Sequence, residues 1–472
     1  MQLSELFNVL DGARISQDVT ITSLEFDSRK VNPGALFFAI KGERFDGHAF
    51  IPEAIDRGAC AIVAERAITV DIPYAVVKDA RIVMGEIARQ FYGAFDDLTT
   101  IGITGTNGKT TTAFILHKIL ECAGLNPGML GTVWYIVGDS IVPAGRTTPE
   151  SLDVYKTMYQ AQEKGARAVV MEVSSHALSL HRVDTIRFHV AVFTNLTQDH
   201  LDFHRTIEAY AQAKFHIFTL LRENGCAIIN QDDPRSTEIR EYPIPRIITY
   251  GLITPADYSA NIVDDTIEGL TLDIAWSKNV HRVVSPLIGS FNCYNILASF
   301  ATAHVLGLEA SVIEKGIRQM KRVPGRMERI RNSIFVDYAH TPDAIKNALN
   351  ALRRYCRGRL LVVFGCGGDR DQGKRPIMGT IATEYADHVV ITSDNPRTED
   401  PRQVIRDIEG GITRDNFTVI EDRGDAIAQA IKMMREGDIV LVAGKGHENY
   451  QIIGDKRITF DDAEVIRQCT GN

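Results

Sequence analysis

Ile101-Gly-Ile-Thr-Gly-Thr-Asn-Gly-Lys-Thr-Thr111 decides the fold. An apolar, β-branched run enters a glycine-rich turn. The turn opens onto Lys109-Thr110 and an apolar helix carrying Phe114, Ile115 and Leu116. Glycine has no Cβ, so such a turn can point backbone N–H groups inward around phosphate oxygens. The helix that follows adds the partial positive charge of its N-terminus. Gly105, Thr106, Asn107, Gly108, Lys109, Thr110 and Thr111 therefore read as the cradle of a nucleoside triphosphate. Lys109 reaches the outer phosphates and the Thr110 hydroxyl ligates magnesium. One departure from the strict P-loop stands out: Ile103, not glycine, lies five residues before Gly108.

Working outward, strand and helix signals alternate along the whole chain. Its 472 residues suit about three domains at roughly 150 each. Before the loop, Gly34-Ala-Leu-Phe-Phe-Ala-Ile40 and Cys60-Ala-Ile-Val-Ala64 read as buried strands around a short helix near 50–57. After it, Ala168-Val-Val-Met171, His189-Val-Ala-Val-Phe193 and Gly225-Cys-Ala-Ile-Ile-Asn230 are apolar enough for central parallel strands. Further on come Ile334-Phe-Val336, Leu360-Leu-Val-Val-Phe364, His388-Val-Val-Ile391 and Asp438-Ile-Val-Leu-Val-Ala443. The expected class is α/β in three domains: a small N-terminal α/β domain (1–96), a central P-loop-type domain on a mostly parallel sheet (97–325), and a C-terminal Rossmann-like α/β domain (326–472).

Composition narrows the function. There are 52 basic and 60 acidic residues, a net charge of −8, which argues against a nucleic-acid binder that works by neutralising phosphates. Seven cysteines form no C-x-x-C pair and read as reduced, mostly buried thiols in a reducing compartment. Met1-Gln2-Leu3-Ser4-Glu5 has no basic region leading into an apolar run, as a secretory signal would. The longest uncharged stretch, 283–308, contains Pro286, Asn292, Asn295 and His304, which a membrane span tolerates poorly. A cytoplasmic protein without a membrane span is expected. The absence of an N-K-x-D guanine signature argues against a GTPase switch.

Metal-type ligands follow the loop. Met171-Glu-Val-Ser-Ser-His176 puts Glu172 at a strand end, and Asn195-Leu-Thr-Gln-Asp-His-Leu-Asp202 puts Asp199, His200 and Asp202 just beyond another. Alone, Glu172 could be a helix cap and His200 a satisfied histidine. Beside Thr110 and phosphate oxygens they suit magnesium. Lys214 falls on the apolar stripe formed by Ile207, Tyr210, Ala211 and Phe218. It either snorkels or is a lysine of depressed pKa with a nucleophilic amine.

At this point the chain resembles the Mur ligase family, of the MurE type, over essentially its whole length. Six motifs in order carry the resemblance: Thr104-Gly-Thr-Asn-Gly-Lys-Thr-Thr111, Met171-Glu-Val-Ser-Ser-His176, Asn195-Leu-Thr-Gln-Asp-His200, Asp337-Tyr-Ala-His-Thr-Pro342, Gly365-Cys-Gly-Gly-Asp-Arg370 and Gly444-Lys-Gly-His-Glu448. The resemblance implies that Lys214 is carbamylated to N6-carboxylysine and helps bind the second of two magnesium ions. It makes Lys109, Glu172, His200 and Lys214 the catalytic set, with Thr110, Glu172, His200 and the Lys214 carbamate as metal ligands. It implies that Asn292, Arg326 and Asp337 join the loop in holding ATP. Ser28, within Phe26-Asp-Ser-Arg29, and the stretch Lys41-Gly-Glu-Arg-Phe-Asp-Gly-His48 resemble UDP-binding segments. Thr147, Thr148, Ser174 and Arg182 match contacts to the UDP-muramoyl substrate, whereas Leu180 stands where some relatives carry glutamine.

Ser393-Asp-Asn-Pro-Arg-Thr-Glu399 resembles the signature of the ligases that add meso-diaminopimelate. That amino acid has a second carboxylate, which lysine lacks, and a guanidinium such as Arg397 can hold it bidentately. Asp394, Asn395, Pro396 and Arg397, with Arg370, Gly444 and Glu448, form the implied amino-acid site. Without the resemblance, Asp-Asn-Pro reads as a plain turn. Asp232-Asp-Pro-Arg235, in the central block, reads as a turn as well. The implied reaction joins meso-diaminopimelate to UDP-N-acetylmuramoyl-L-alanyl-D-glutamate through an acyl phosphate, carried out by a monomer in peptidoglycan precursor synthesis. Three rivals make different demands. A lysine-adding ligase lacks the arginine of the signature. A folylpolyglutamate synthase lacks the UDP segments. A silent binding protein loses Lys109, Glu172, His200 or Lys214.

Overall fold

The computed structural model describes residues 1–8, 17–42 and 45–471. Glu43 and Arg44, inside the second expected UDP segment, lie outside the described residues. The described residues fold as α/β units around three main sheets. The first has four parallel strands, Ser23–Glu25, Ala35–Phe38, Ala59–Ala64 and Tyr74–Val76.

The second sheet has eleven strands. Its centre runs parallel in the order Tyr258–Thr266, Ile247–Gly251, Leu221–Asn230, Phe188–Phe193, Thr99–Thr104, Ala168–Glu172 and Gly128–Leu130. Ala168–Glu172 is buried throughout, as a strand covered on both faces must be. Antiparallel strands border both sides: Gly269–Trp276 and Asn279–Ser285 on one, Trp134–Val137 and Ser140–Pro143 on the other. Gly269–Trp276 alternates buried with half-exposed residues, Asn279–Ser285 and Ser140–Pro143 are mostly exposed, and the apolar run Trp134–Val137 is short and mostly half-exposed, so a search for buried strands passes over them.

Register delivers the site. Ile103 stands opposite Glu172, and Thr104 opposite Phe193. The phosphate loop, Glu172 and the segment after Phe193 thus leave the sheet at one edge, where ligands of parallel sheets bind. Ile103 is fully buried within the strand. The strand runs further than in the strict motif, and the loop begins only at Gly105. The helix Lys109–Cys122 packs against Ala310–Arg318, where a Cβ on Gly316 would sit 2.6 Å from the Ile119 Cα.

The third sheet has Ile334–Asp337, Ile439–Ala443, Leu360–Phe364, His388–Ile391 and Phe417–Val419 in parallel, with Glu328–Arg331 antiparallel at its edge. A hairpin, Tyr450–Ile453 with Lys456–Thr459, stands apart. No described helix is long and apolar enough to cross a membrane. The seven cysteines are free thiols. Only Cys226, Cys293 and Cys366 are buried, fewer than the composition suggests, because four fall at element ends and edges.

Beneath the third sheet Arg423 and Asp462 are both buried. Arg423 Nε and Nη2 donate to the two Asp462 oxygens at 2.7 Å each, and Nη2 also reaches the Ala443 carbonyl at 3.0 Å. A buried ion pair broken on one side leaves an uncompensated charge. Asp462→Ala should therefore destabilise the protein by about 3–5 kcal/mol, read as a drop in the urea midpoint of the C-terminal unfolding transition.

Candidate functional site

The phosphate loop is shaped by contacts that exclude side chains. Gly105 has φ +143°, and a Cβ there would lie 1.9 Å from Thr194 Oγ1. Gly108 has φ +87°, and its Cβ would lie 2.3 Å from Asn295 Oδ1. Neighbouring loops brace the turn. Thr106 N donates to the Asn195 carbonyl at 2.8 Å, Asn107 N to Asn195 Oδ1 at 2.9 Å, and Thr194 Oγ1 to the Asn107 carbonyl at 2.6 Å. Lys109 Nζ folds over the loop onto the Gly105 and Thr106 carbonyls, both at 2.8 Å. Burial pushes its pKa below the usual lysine range, against the pull of Glu172 and Asp199.

Thr110 opens the helix beside Glu172, whose carboxylate is fully buried. Thr110 Oγ1 donates to Glu172 Oε2 at 2.9 Å, while Thr132 N donates to Oε1 at 2.7 Å and Thr132 Oγ1 to Oε2 at 3.0 Å. Among the described residues no three His, Cys, Asp or Glu side chains close on one point. The Thr110–Glu172 pair is nevertheless a set of hard oxygen donors beside a phosphate cradle, which fits magnesium completed by phosphate oxygens and water.

Lys214 does not snorkel. It is 1% exposed, donates from Nζ to the Gly105 carbonyl at 2.7 Å, and lies 4.6 Å from the Tyr210 ring centre. Burial, reinforced by Lys109, drives its pKa well below the ordinary value, so a neutral amine is accessible. His200 stands at the open rim, its ring edge-on to His176 at 4.8 Å and its Nε2 3.5 Å from Asp199 Oδ2. Packing against its neighbours pushes its imidazole down to about 4, despite Asp199. Asp202 points to solvent and does not join this group.

Thr147, Thr148, Ser174 and Arg182 gather beside the end of the Glu172 strand. Thr148 Oγ1 donates to the Glu172 carbonyl at 2.8 Å and accepts from Ser174 N at 3.1 Å, and the Thr147 and Thr132 hydroxyls are 3.1 Å apart. Arg182 Nη1 reaches the Thr148 carbonyl at 3.1 Å. Ser28 lies elsewhere, on the first sheet's side, with Oγ donating to Glu53 Oε2 at 2.8 Å.

Arg326 bridges the central and C-terminal sheets. Its Nη2 donates to Thr110 Oγ1 at 3.3 Å and its guanidinium stacks 4.6 Å from the Tyr338 ring centre. Asp337 accepts from Met327 N at 2.6 Å and Ala339 N at 2.8 Å, so it shapes the chain around Arg326. Asn292 is buried, with Nδ2 on the Ile288 carbonyl at 2.8 Å and Oδ1 taken by Asn295 Nδ2 at 2.9 Å.

Most of the expected amino-acid residues also meet. Asn395 Nδ2 donates to Glu448 Oε2 at 2.8 Å, and a Cβ on Gly444 would touch Asp394 Oδ2 at 2.8 Å. Arg397, at φ +53°, is pinned through its backbone to the Tyr450–Ile453 hairpin, with Arg397 N donating to the Ile452 carbonyl at 3.0 Å. Pro396 is buried between them, whereas Arg370 is exposed on the neighbouring loop. Asp232 caps a separate turn by accepting from Leu252, Ile253 and Thr254 N–H groups.

Three family models match in order: the Mur ligase family catalytic domain over residues 20–92, the Mur ligase middle domain over 103–303, and the Mur ligase glutamate ligase domain over 325–446. A curated UDP-N-acetylmuramoyl-L-alanyl-D-glutamate--2,6-diaminopimelate ligase from Geobacillus thermodenitrificans is 45% identical over 482 residues, covering 99% of each chain. The chain belongs to the Mur ligase family. A relative of the same name from Aquifex aeolicus is 43% identical, covering 96% of this chain and 94% of that one. A solved structure of that ligase superposes with a TM-score of 0.68 at 35% identity, over 95% of this chain and 94% of its own. A MurF ligase from Thermotoga maritima, solved with ADP, shares the fold at a TM-score of 0.69 and 23% identity, over 95% and 96% of the two chains.

Two residues of this Mur ligase escape the motif reading. Lys445 is fully buried, with Nζ 3.2 Å from Asn395 Oδ1 and 3.1 Å from Glu448 Oε2. Its signal is the lysine of Gly444-Lys-Gly-His-Glu448. Glu150 is buried among three arginines: Arg81 at 2.8 Å, Arg146 at 2.6 Å and Arg182 at 2.9 Å. Only Arg146 lies in its own stretch, four residues away; Arg182 and Arg81 are 32 and 69 residues away, so the buried cluster is not announced by any one segment. Burial opposes its ionisation, but Arg182, Arg81 and Arg146 outweigh that and hold its pKa below the ordinary 4.5. A carboxyl depressed in the fold stabilises above its unfolded pKa and loses that contribution as pH falls through the folded one. Glu150→Gln should lower the thermal midpoint at pH 7, with the gap to the unsubstituted protein narrowing as pH drops below about 4.5.

Proposed function

We propose that this Mur ligase joins meso-diaminopimelate to UDP-N-acetylmuramoyl-L-alanyl-D-glutamate, converting ATP to ADP and phosphate. One observation carries the choice of amino acid: the turn that holds Arg397 places Asn395 Nδ2 2.8 Å from Glu448 Oε2, so the arginine loop and the glutamate loop join at Asn395. A guanidinium for a second carboxylate and a carboxylate for an ammonium suit a molecule bearing both at its far end. The names of the relatives support the same substrates. The labour divides along the chain, with the UDP end on 1–96, ATP on 97–325 and the incoming amino acid on 326–472. The enzyme works as a monomer in the cytoplasm, in peptidoglycan precursor synthesis.

Carboxylate and ammonium do not condense at neutral pH, because the carboxylate oxygen is a poor leaving group. The D-glutamyl carboxylate therefore attacks the γ-phosphorus of ATP and ADP departs. The diaminopimelate amine then attacks the acyl phosphate, loses a proton, and expels phosphate. The amides of 105–111 and Lys109 offset charge on the transferred group. Arg326, beside Thr110, adds a cation from the C-terminal side, with Asp337 shaping its loop and Asn292 bracing the adjoining helix. Thr147, Thr148, Ser174 and Arg182 orient the muramoyl peptide. Ser28 holds the uridyl end, far from the chemistry, where binding energy aids positioning. Thr110, Glu172, His200 and the carbamate of Lys214 would hold two magnesium ions, which supply charge neutralisation on the phosphates. The depressed pKa of the buried Lys214 favours that carbamate, since only an unprotonated amine adds to carbon dioxide, releasing a proton.

An amino-acid competition assay reading ADP release tests the proposal. Release should require the UDP-dipeptide and meso-diaminopimelate together. Preference for L-lysine, or for a folate substrate, would overturn it. Arg397→Ala should raise the KM for diaminopimelate by about tenfold or more, with ATP KM little changed. Lys214→Ala should abolish turnover, with partial recovery on adding a short carboxylic acid.

A further inference from the structure

Two loops carry the arginines of the amino-acid site: Arg370 follows the strand Leu360–Phe364, and Arg397 follows His388–Ile391. They are zipped along their backbones. Gly368 N donates to the Asn395 carbonyl at 2.9 Å, and a Cβ on Gly368 would lie 1.9 Å from the Pro396 carbonyl oxygen. Arg397 Nη1 donates to the Gly368 carbonyl at 2.6 Å, and Thr398 Oγ1 to Asp369 Oδ1 at 2.7 Å.

Behind this seam lies an ion cluster with no part in the reaction described above. Arg375, in the first turn of Lys374–Tyr385, is fully buried. Its Nη2 donates to Glu399 Oε1 at 2.8 Å, and its Nη1 to Glu399 Oε2 at 2.9 Å and Asp407 Oδ2 at 2.8 Å. Among the described residues its buried Nε has no partner, and Nη2 also reaches the Gly367 carbonyl at 3.4 Å, so Glu399 and Asp407 are the anions that balance it. Glu399 ends the Arg397 loop, yet its Oε1 also accepts from Asp369 N, the residue before Arg370, at 2.5 Å. One carboxylate thus ties both loops to one buried cation.

We propose that Glu399, held by Arg375, is a positioning residue that sets the spacing of Arg370 and Arg397 and so selects an amino acid with a second carboxylate. The proposal rests on the function above. A bidentate carboxylate contact is sensitive to errors of a fraction of an ångström, so loosening the seam weakens recognition of that carboxylate more than of the common α-amino-acid end. A lysine-like substrate lacks the group and loses little.

The test compares kcat/KM for meso-diaminopimelate and L-lysine, with ATP KM and thermal midpoint alongside. Glu399→Gln should raise diaminopimelate KM about tenfold, leave ATP KM within about twofold, and narrow the diaminopimelate-to-lysine ratio by a similar factor. Glu399→Asp should recover part of the ratio. Because one-sided loss can unfold the C-terminal part, the paired replacement Arg375→Met with Glu399→Leu gives a second, apolar seam. A folded paired variant should also show the narrowed ratio. An unchanged ratio in either folded variant, or a uniform loss on all substrates, overturns the proposal. If the unsubstituted protein shows no diaminopimelate-dependent ADP release, the parent reading fails instead.

Discussion

A carboxylate at the end of a central strand organises this molecule. Glu172 is fully buried, where an unpaired charge would be costly. Hydroxyl and amide donors from Thr110 and Thr132 meet both of its oxygens. Those donors belong to the start of the phosphate-loop helix and to the segment after Gly128–Leu130. The Glu172 carbonyl takes Thr148 Oγ1, which fixes the segment after Ser140–Pro143 in turn. Loops from separate strands therefore take their positions from one buried anion. Arg326 joins the C-terminal part to the same point through Thr110.

The C-terminal body follows the same logic with opposite signs. Its buried cations are each placed against a carboxylate: Arg423 against Asp462, Arg375 against Glu399 and Asp407, and Lys445 against Glu448. These clusters lie beside loops that carry polar groups and hold those loops in place. An overall charge of −8 is compatible with anionic substrates, because binding depends on local groups. In the proposed reaction local amides and a few guanidiniums do the binding, while the global charge mainly affects solubility.

Much of the site was legible because its pieces are local in sequence. The phosphate loop is one continuous turn between a strand and a helix, and its glycines are required by contacts under 2.5 Å at Gly105 and Gly108. Asp394 to Arg397 is likewise one turn after one strand. Lys214 was ambiguous, since helical spacing puts it on an apolar face but cannot say whether its tip escapes; packing under Gly105 answers that. The antiparallel borders of the central sheet were missed because their strands are exposed, alternating or short rather than buried throughout. Glu150 and Glu399 were missed because most of their partners come from distant loops and helices: Arg81 and Arg182 lie 69 and 32 residues from Glu150, and Asp369 lies 30 from Glu399.

By itself, the sequence determined what depends on nearest neighbours: buried strands, a glycine turn that admits phosphate, a fold class, and an ordered set of motifs. Tertiary structure alone decided which charges are paired, which are buried and which loops share a partner. Electrostatic pairing acts through space at about 3 Å, so residues 69 apart, such as Arg81 and Glu150, become neighbours only once the domains are packed.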